Sequence, residues 1–121
     1  MTISKMTKEQ IHNYIEKHLP IRSSEKDKFG EVFTPPHLIE ELFDALPREV
    51  WADPNLTWLD PAAGIGNFAL LAYVRLMDGL KKAIPDETKR KSHILSRMLY
   101  QVEINPENSA KIRKLFSVPG S

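Results

Sequence analysis

The sequence predicts an α/β fold in which parallel strands are flanked by helices, with a helical segment ahead of them. Two observations carry this. Residues 56–68 read as a short apolar strand, a tight glycine-bearing turn and the start of a helix. Residues 99–104 (Leu-Tyr-Gln-Val-Glu-Ile) read as a second strand, reached through a helical crossover. Strands joined in this way pair in parallel, as neighbours with a right-handed connection.

Each element has a local reason. Thr7-Lys8-Glu9-Gln10 reads as a capping box opening a helix. Ile11, Tyr14, Ile15, His18 and Leu19 recur on one face of it, and Pro20 stops it. His12 and His18 read as boundary or core histidines rather than ligands. Residues 22–28 are polar and charged and read as a solvated linker. Thr34 can cap a second helix with Pro35 at its first position. Leu38, Ile39, Leu42, Phe43 and Leu46 give that helix an apolar face, and Pro47 closes it.

Residues 48–56 read as a connecting loop with a turn at Asp53-Pro54-Asn55, and Trp51 as a lid on the core. The strand ending at Asp60 follows. The helix from Phe68 to about Leu80 is apolar almost all round in its first two turns, which predicts burial on more than one side. Pro85-Asp86 breaks the chain. A short helix from about Asp86 to Arg97 carries Lys89-Arg90-Lys91, read as a solvated face, with a phosphate contact as the alternative. Asn105-Pro106 caps a last helix bearing Ala110, Ile112, Leu115 and Phe116.

The chain has 121 residues and a formal net charge of +1, so overall charge says nothing about nucleic acid. It has no cysteine, which excludes disulfides and thiolate metal sites and fits a cytoplasmic protein. The longest apolar run, Phe68 to Val74, is far short of a membrane span, which needs roughly 20 residues. The N-terminus is not a signal peptide. No metal site and no membrane partner are expected.

The strand–turn–helix is an adenosine-cofactor platform of open α/β sheets. Gly64 and Gly66 allow close approach of a ligand, and the helix behind them directs free N–H groups and the positive end of its dipole at it. Residues 64–69 formally satisfy the dinucleotide pattern, but Asp60 would repel a pyrophosphate, and the acid expected roughly 20 residues on, at the tip of the next strand, is here Glu103, 37 residues past Gly66. A ligand with an ammonium group and a ribose but no phosphate fits better, and S-adenosylmethionine is such a ligand. Asp60 and Glu103 should stand at one carboxyl edge of the sheet, where such folds bind ligands.

Three blocks line up in order. Phe29-Gly30-Glu31-Val32-Phe33-Thr34-Pro35-Pro36 resembles the F-x-T-P block of N6-adenine DNA methyltransferases. Asp60-Pro61-Ala62-Ala63-Gly64-Ile65-Gly66-Asn67-Phe68 resembles their D-P-A-x-G-x-G-x-F cofactor loop. His93-Ile94-Leu95 and Leu99-Tyr100-Gln101-Val102-Glu103-Ile104 resemble their next strand, with Gln101 in place of the usual glycine. The resemblance covers about residues 28–116.

It implies a partial Rossmann-like, S-adenosylmethionine-dependent methyltransferase fold and a set of roles. Thr34 and Pro35 would sit at the methionine carboxylate, with Phe33 beside them in the cofactor site. Asp60 would accept from the α-ammonium. Pro61, Ala62, Gly64, Gly66 and Phe68 would form the cofactor loop, with Ala62, Gly64 and Gly66 lining the methionine and ribose. Glu103 would take both ribose hydroxyls, two acceptor oxygens suiting two adjacent donors. Ile104 would pack on adenine.

In this family the exocyclic amine of a flipped-out adenine displaces the sulfonium, with an N-P-P-Y/F loop after the fourth strand. This sequence has no such loop; Asn105-Pro106-Glu107-Asn108 is a helix cap. No catalytic residue is therefore assigned. The expectation is residues 1–27 as an N-terminal helix and linker, and residues 28–121 as the N-terminal part of a methyltransferase domain, from a restriction–modification system. Alone it should be marginal or associating, because two strands cannot cover its apolar helices. DNA would be met through missing or partner regions, including a complementary methyltransferase chain. Two other readings stand beside this one: a non-catalytic binding or assembly module that keeps the S-adenosylmethionine fold, and an NAD-dependent oxidoreductase.

Overall fold

The computed structural model of the chain describes residues 2–17, 35–60 and 66–119. After a short 3-10 turn at Ile3–Lys5, residues 8–17 are helical (α1). Then follow α2 (Pro36–Asp44), a 3-10 turn (Arg48–Ala52), β1 (Trp58–Asp60), α3 (Asn67–Gly79), α4 (Glu87–His93), β2 (Leu99–Gln101) and α5 (Pro106–Leu115). The two strands pair in parallel with Trp58 opposite Leu99, Leu59 opposite Tyr100 and Asp60 opposite Gln101. Mixed helices and a parallel pair agree with a partial α/β fold.

The helix starts follow the residues expected to make them. Thr7 Oγ1 accepts from the Gln10 amide at 3.1 Å and Gln10 Oε1 accepts from the Thr7 amide at 2.9 Å, the reciprocal bonds of a capping box. Asp86 Oδ1 accepts from the Lys89 amide at 2.9 Å to cap α4. Asn105 Oδ1 accepts from the amides of Glu107 and Asn108 to cap α5. At α2 the cap falls one residue later than expected: Pro35 is the N-cap, Pro36 is the first helical residue, and Pro35 supplies no side-chain bond. Thr34 lies outside the described residues, as do His18, Leu19, Pro20 and the 22–28 linker.

The core is built round α3. Leu70, Leu71, Ala72, Tyr73 and Leu76 are all buried, as the all-round apolar pattern requires. Phe43 of α2, Trp51, Trp58 of β1 and Phe68 form one aromatic cluster. Trp51 stacks on Trp58 with ring centroids 4.5 Å apart, and Phe43 meets Trp51 and Phe68 edge to face at 4.9 and 4.8 Å. Trp51 is thus the expected lid, but it reaches that position on a 3-10 turn rather than an irregular loop. Asp53 then closes an Asx turn, its Oδ1 accepting from the Asn55 amide. His93 Nε2 lies 2.7 Å from the Pro54 carbonyl, which can only accept, so Nε2 carries the proton.

Four expectations are corrected. Only Ile39 and Phe43 of α2 are buried; Leu38, Leu42 and Leu46 are exposed, because α3 covers one narrow stripe of so short a helix. The crossover helix changes character at Ile94–Met98, a π turn that seats Ile94 and Met98 in the core. Arg90 is not on a solvated face: it is buried and Nη1 donates to the Ile84 and Pro85 carbonyls, closing the turn before α4. β2 ends at Gln101, although the alternation of half-buried and exposed residues continues to Ile104. Among the described residues no helix is long and apolar enough to cross a membrane.

Candidate cofactor site at the carboxyl edge of the sheet

Asp60 ends β1. The ladder carries on one bond past the paired residues, the Val102 amide donating to the Asp60 carbonyl at 2.9 Å. Side chains alternate along a strand, so Gln101 and Glu103 stand on the face that Asp60 shares, while Leu59, Tyr100, Val102 and Ile104 take the other. That second face is open: Leu59 is 64% exposed and Ile104 95%. The first face is half-buried beneath the start of α3.

Gly66 is the N-cap of α3 and has φ +92, the left-handed region that glycine enters without steric penalty. Space demands glycine as well. A Cβ there would fall 2.8 Å from Phe116 Cε2 and 3.1 Å from Gln101 Oε1. Gly66 makes no side-chain cap for the first N–H groups of α3.

Glu103 is oriented by the turn into α5, its Oε2 accepting from the Asn105 amide at 3.0 Å. Among the residues expected to bind a cofactor, the fold brings Asp60, Gly66 and Glu103 to one edge. Phe68 turns toward the core against Phe43 and borders, with Asp60, a small cleft of about 30 Å³. Pro35 is the N-cap of α2, and Ile104 projects outward. Phe33, Thr34, Pro61, Ala62 and Gly64 lie outside the described residues.

Two polar side chains at the edge had no role in the sequence reading. Among the described residues, Gln101 Oε1 is buried with no hydrogen-bond partner, and both polar atoms of Asn67, a residue only 5% exposed, are in the same state. A buried amide group left unpaired costs about 1–3 kcal/mol. The sequence did carry a signal for each: Gln101 departs from the glycine of the resembled strand, and Asn67 is the polar residue directly ahead of the apolar run Phe68 to Val74.

A larger cleft of about 510 Å³ lies elsewhere, between α1, α2 and α3. Arg75 occupies its wall, bonded to Asp44 at 2.8 Å and Glu40 at 3.1 Å. None of the sheet-edge residues lines it.

Two acids thus stand at the carboxyl edge of adjacent parallel strands, with Gln101 directly opposite the first of them. The chain is similar to part of a methylase. It is 39% identical over 87 residues to a Mycoplasma pneumoniae protein described as an uncharacterized adenine-specific methylase. The match takes in 69% of this chain and 21% of that protein, so the chain spans about a fifth of its relative's length. The similarity supports a methyltransferase. No family model matches the chain, and no solved structure does.

Proposed function

We propose that this chain is the cofactor-binding part of a DNA adenine-N6 methyltransferase of the restriction–modification type. S-adenosylmethionine would lie across the carboxyl edge of the sheet. When bound it supplies an electrophilic methyl group on a sulfonium. Asp60 would accept from its α-ammonium and Glu103 from its ribose hydroxyls. The observation that carries the reading is the pairing of Asp60 with Gln101, which sets two acids at the same end of neighbouring parallel strands. The order of the three sequence blocks and the methylase similarity support it.

The catalytic N-P-P-Y/F loop and the target-recognition region would come from other sequence, in the same protein or a complementary chain. A second reading, a non-catalytic module that binds or assembles with a partner, is favoured by the open apolar face of Leu59, Tyr100, Val102 and Ile104. Calorimetry of the 121-residue chain with S-adenosylmethionine and with NAD tests the cofactor; NAD binding without S-adenosylmethionine binding overturns both readings. Methyl transfer to adenine-containing DNA when a chain bearing the N-P-P-Y/F loop is added separates the first from the second.

A further inference from the structure

We propose that Gln101 is a ligand-contacting residue that sets specificity at this edge, its carboxamide oxygen accepting a hydrogen bond from the ammonium end of the cofactor. This rests on the cofactor reading above and deepens it.

Gln101 is the register partner of Asp60, on a neighbouring strand about 4.8 Å away. Glu103 lies two residues, about 6.6 Å, farther along the same face. Gln101 is therefore level with the acid assigned to the ammonium and not with the acid assigned to the ribose. Its Oε1 is buried, has no partner among the described residues, and lies 3.1 Å from the position a Cβ on Gly66 would take, with Phe116 Cε2 2.8 Å from the same point. Buried polar atoms in native proteins are nearly always bonded, so an orphan acceptor at a site is a group that a ligand donor would complete. An ammonium brings three N–H donors, and a second acceptor beside Asp60 matches a cation of that kind. The resembled strand has glycine here, which offers no side-chain acceptor. This chain thus reads the amino-acid end of its ligand with one group more.

The alternative is that Gln101 only fills space beside Gly66 and Phe116. The test is calorimetry of the full chain with two ligands: S-adenosylmethionine, and 5′-methylthioadenosine, which keeps the adenosine but lacks the ammonium. Gln101→Leu should weaken S-adenosylmethionine binding about tenfold and leave 5′-methylthioadenosine binding unchanged. Gln101→Glu, which keeps an acceptor oxygen, should hold or tighten S-adenosylmethionine. Thermal melts check that each variant is folded. A leucine variant that binds S-adenosylmethionine like the wild type overturns the proposal, and so does equal weakening of both ligands. If the leucine variant does not fold, weaker S-adenosylmethionine binding by the glutamate variant overturns it. A wild-type chain that binds neither ligand instead refutes the cofactor reading itself.

Discussion

Gly79, the last residue of α3, lies with its α-carbon against the backbone carbonyl of Trp51. A Cβ on Gly79 would overlap that carbonyl oxygen and lie 2.8 Å from its carbon. The contact is what lets the Arg48–Ala52 turn press Trp51 onto the core.

Gly79→Ala sets two effects against each other. Alanine favours a helix over glycine by about 1 kcal/mol. Overpacking against backbone, which cannot rotate away, costs about 1–3 kcal/mol or more. The overlap should win, giving net destabilisation of about 1–2 kcal/mol in urea unfolding. A variant as stable as the wild type would show that the contact relaxes freely.

Arg75 joins two acids of α2 to two aromatic rings. It bonds Glu40 and Asp44, and its guanidinium carbon sits 5.3 Å from the Phe43 ring centre and 5.4 Å from that of Trp51. Its partners are partly solvated, so the ion pairs contribute little alone. With the ring contacts, Arg75→Ala should cost about 1–2 kcal/mol. Arg75→Lys should recover less than half, since a compact ammonium cannot span two carboxylates while lying on two rings. Full recovery by lysine would mean that charge alone matters.

Tyr73 is 2% exposed and its hydroxyl has no partner among the described residues. Burial, with Glu87 nearby, pushes its pKa from 10.0 up to about 12. Unfolding releases the phenol to its ordinary value, so between pH 10 and about 12 the unfolded state loses a proton that the folded state keeps. Stability from this group is complete below pH 10 and is lost as pH rises through that window. Tyr73→Phe should flatten this alkaline decline and, having no hydrogen bond to lose, be neutral or slightly stabilising at pH 7. An unchanged alkaline limb in denaturation against pH would refute the assignment.

Asp60→Ala and Glu103→Ala should each weaken S-adenosylmethionine binding by about 1–3 kcal/mol. Glu103→Gln is the cleaner variant, because it can keep the bond to the Asn105 amide that starts α5. Calorimetry that finds unchanged affinity in both alanine variants would count heavily against the site.

Much of the architecture was legible because it rests on local chemistry. Thr7 and Asn105 each carry a cap that shows in three or four letters, and the apolar run after Phe68 can only be a buried helix. Parallel pairing followed from the crossover length. What escaped depended on tertiary choice. Leu38, Leu42 and Leu46 have the periodicity of a core face, yet a single covering helix selects Ile39 and Phe43. Arg90 sits between two lysines as a surface cation would, and only the carbonyls of Ile84 and Pro85 draw it inward. At the site, Asp60 and Glu103 could be paired from the sequence, whereas Gln101 gained meaning only from its register partner.

That register has a kinetic consequence. β1 and β2 lie roughly forty residues apart in the chain, so their pairing must overcome a large loop-closure entropy before it returns any contact. Helices with strong caps can form early, while the three-residue ladder closes late. The edge holding Asp60, Gln101 and Glu103 would then be the last part of the molecule to mature, and a ligand gripping both strands would act as a clasp that slows their parting.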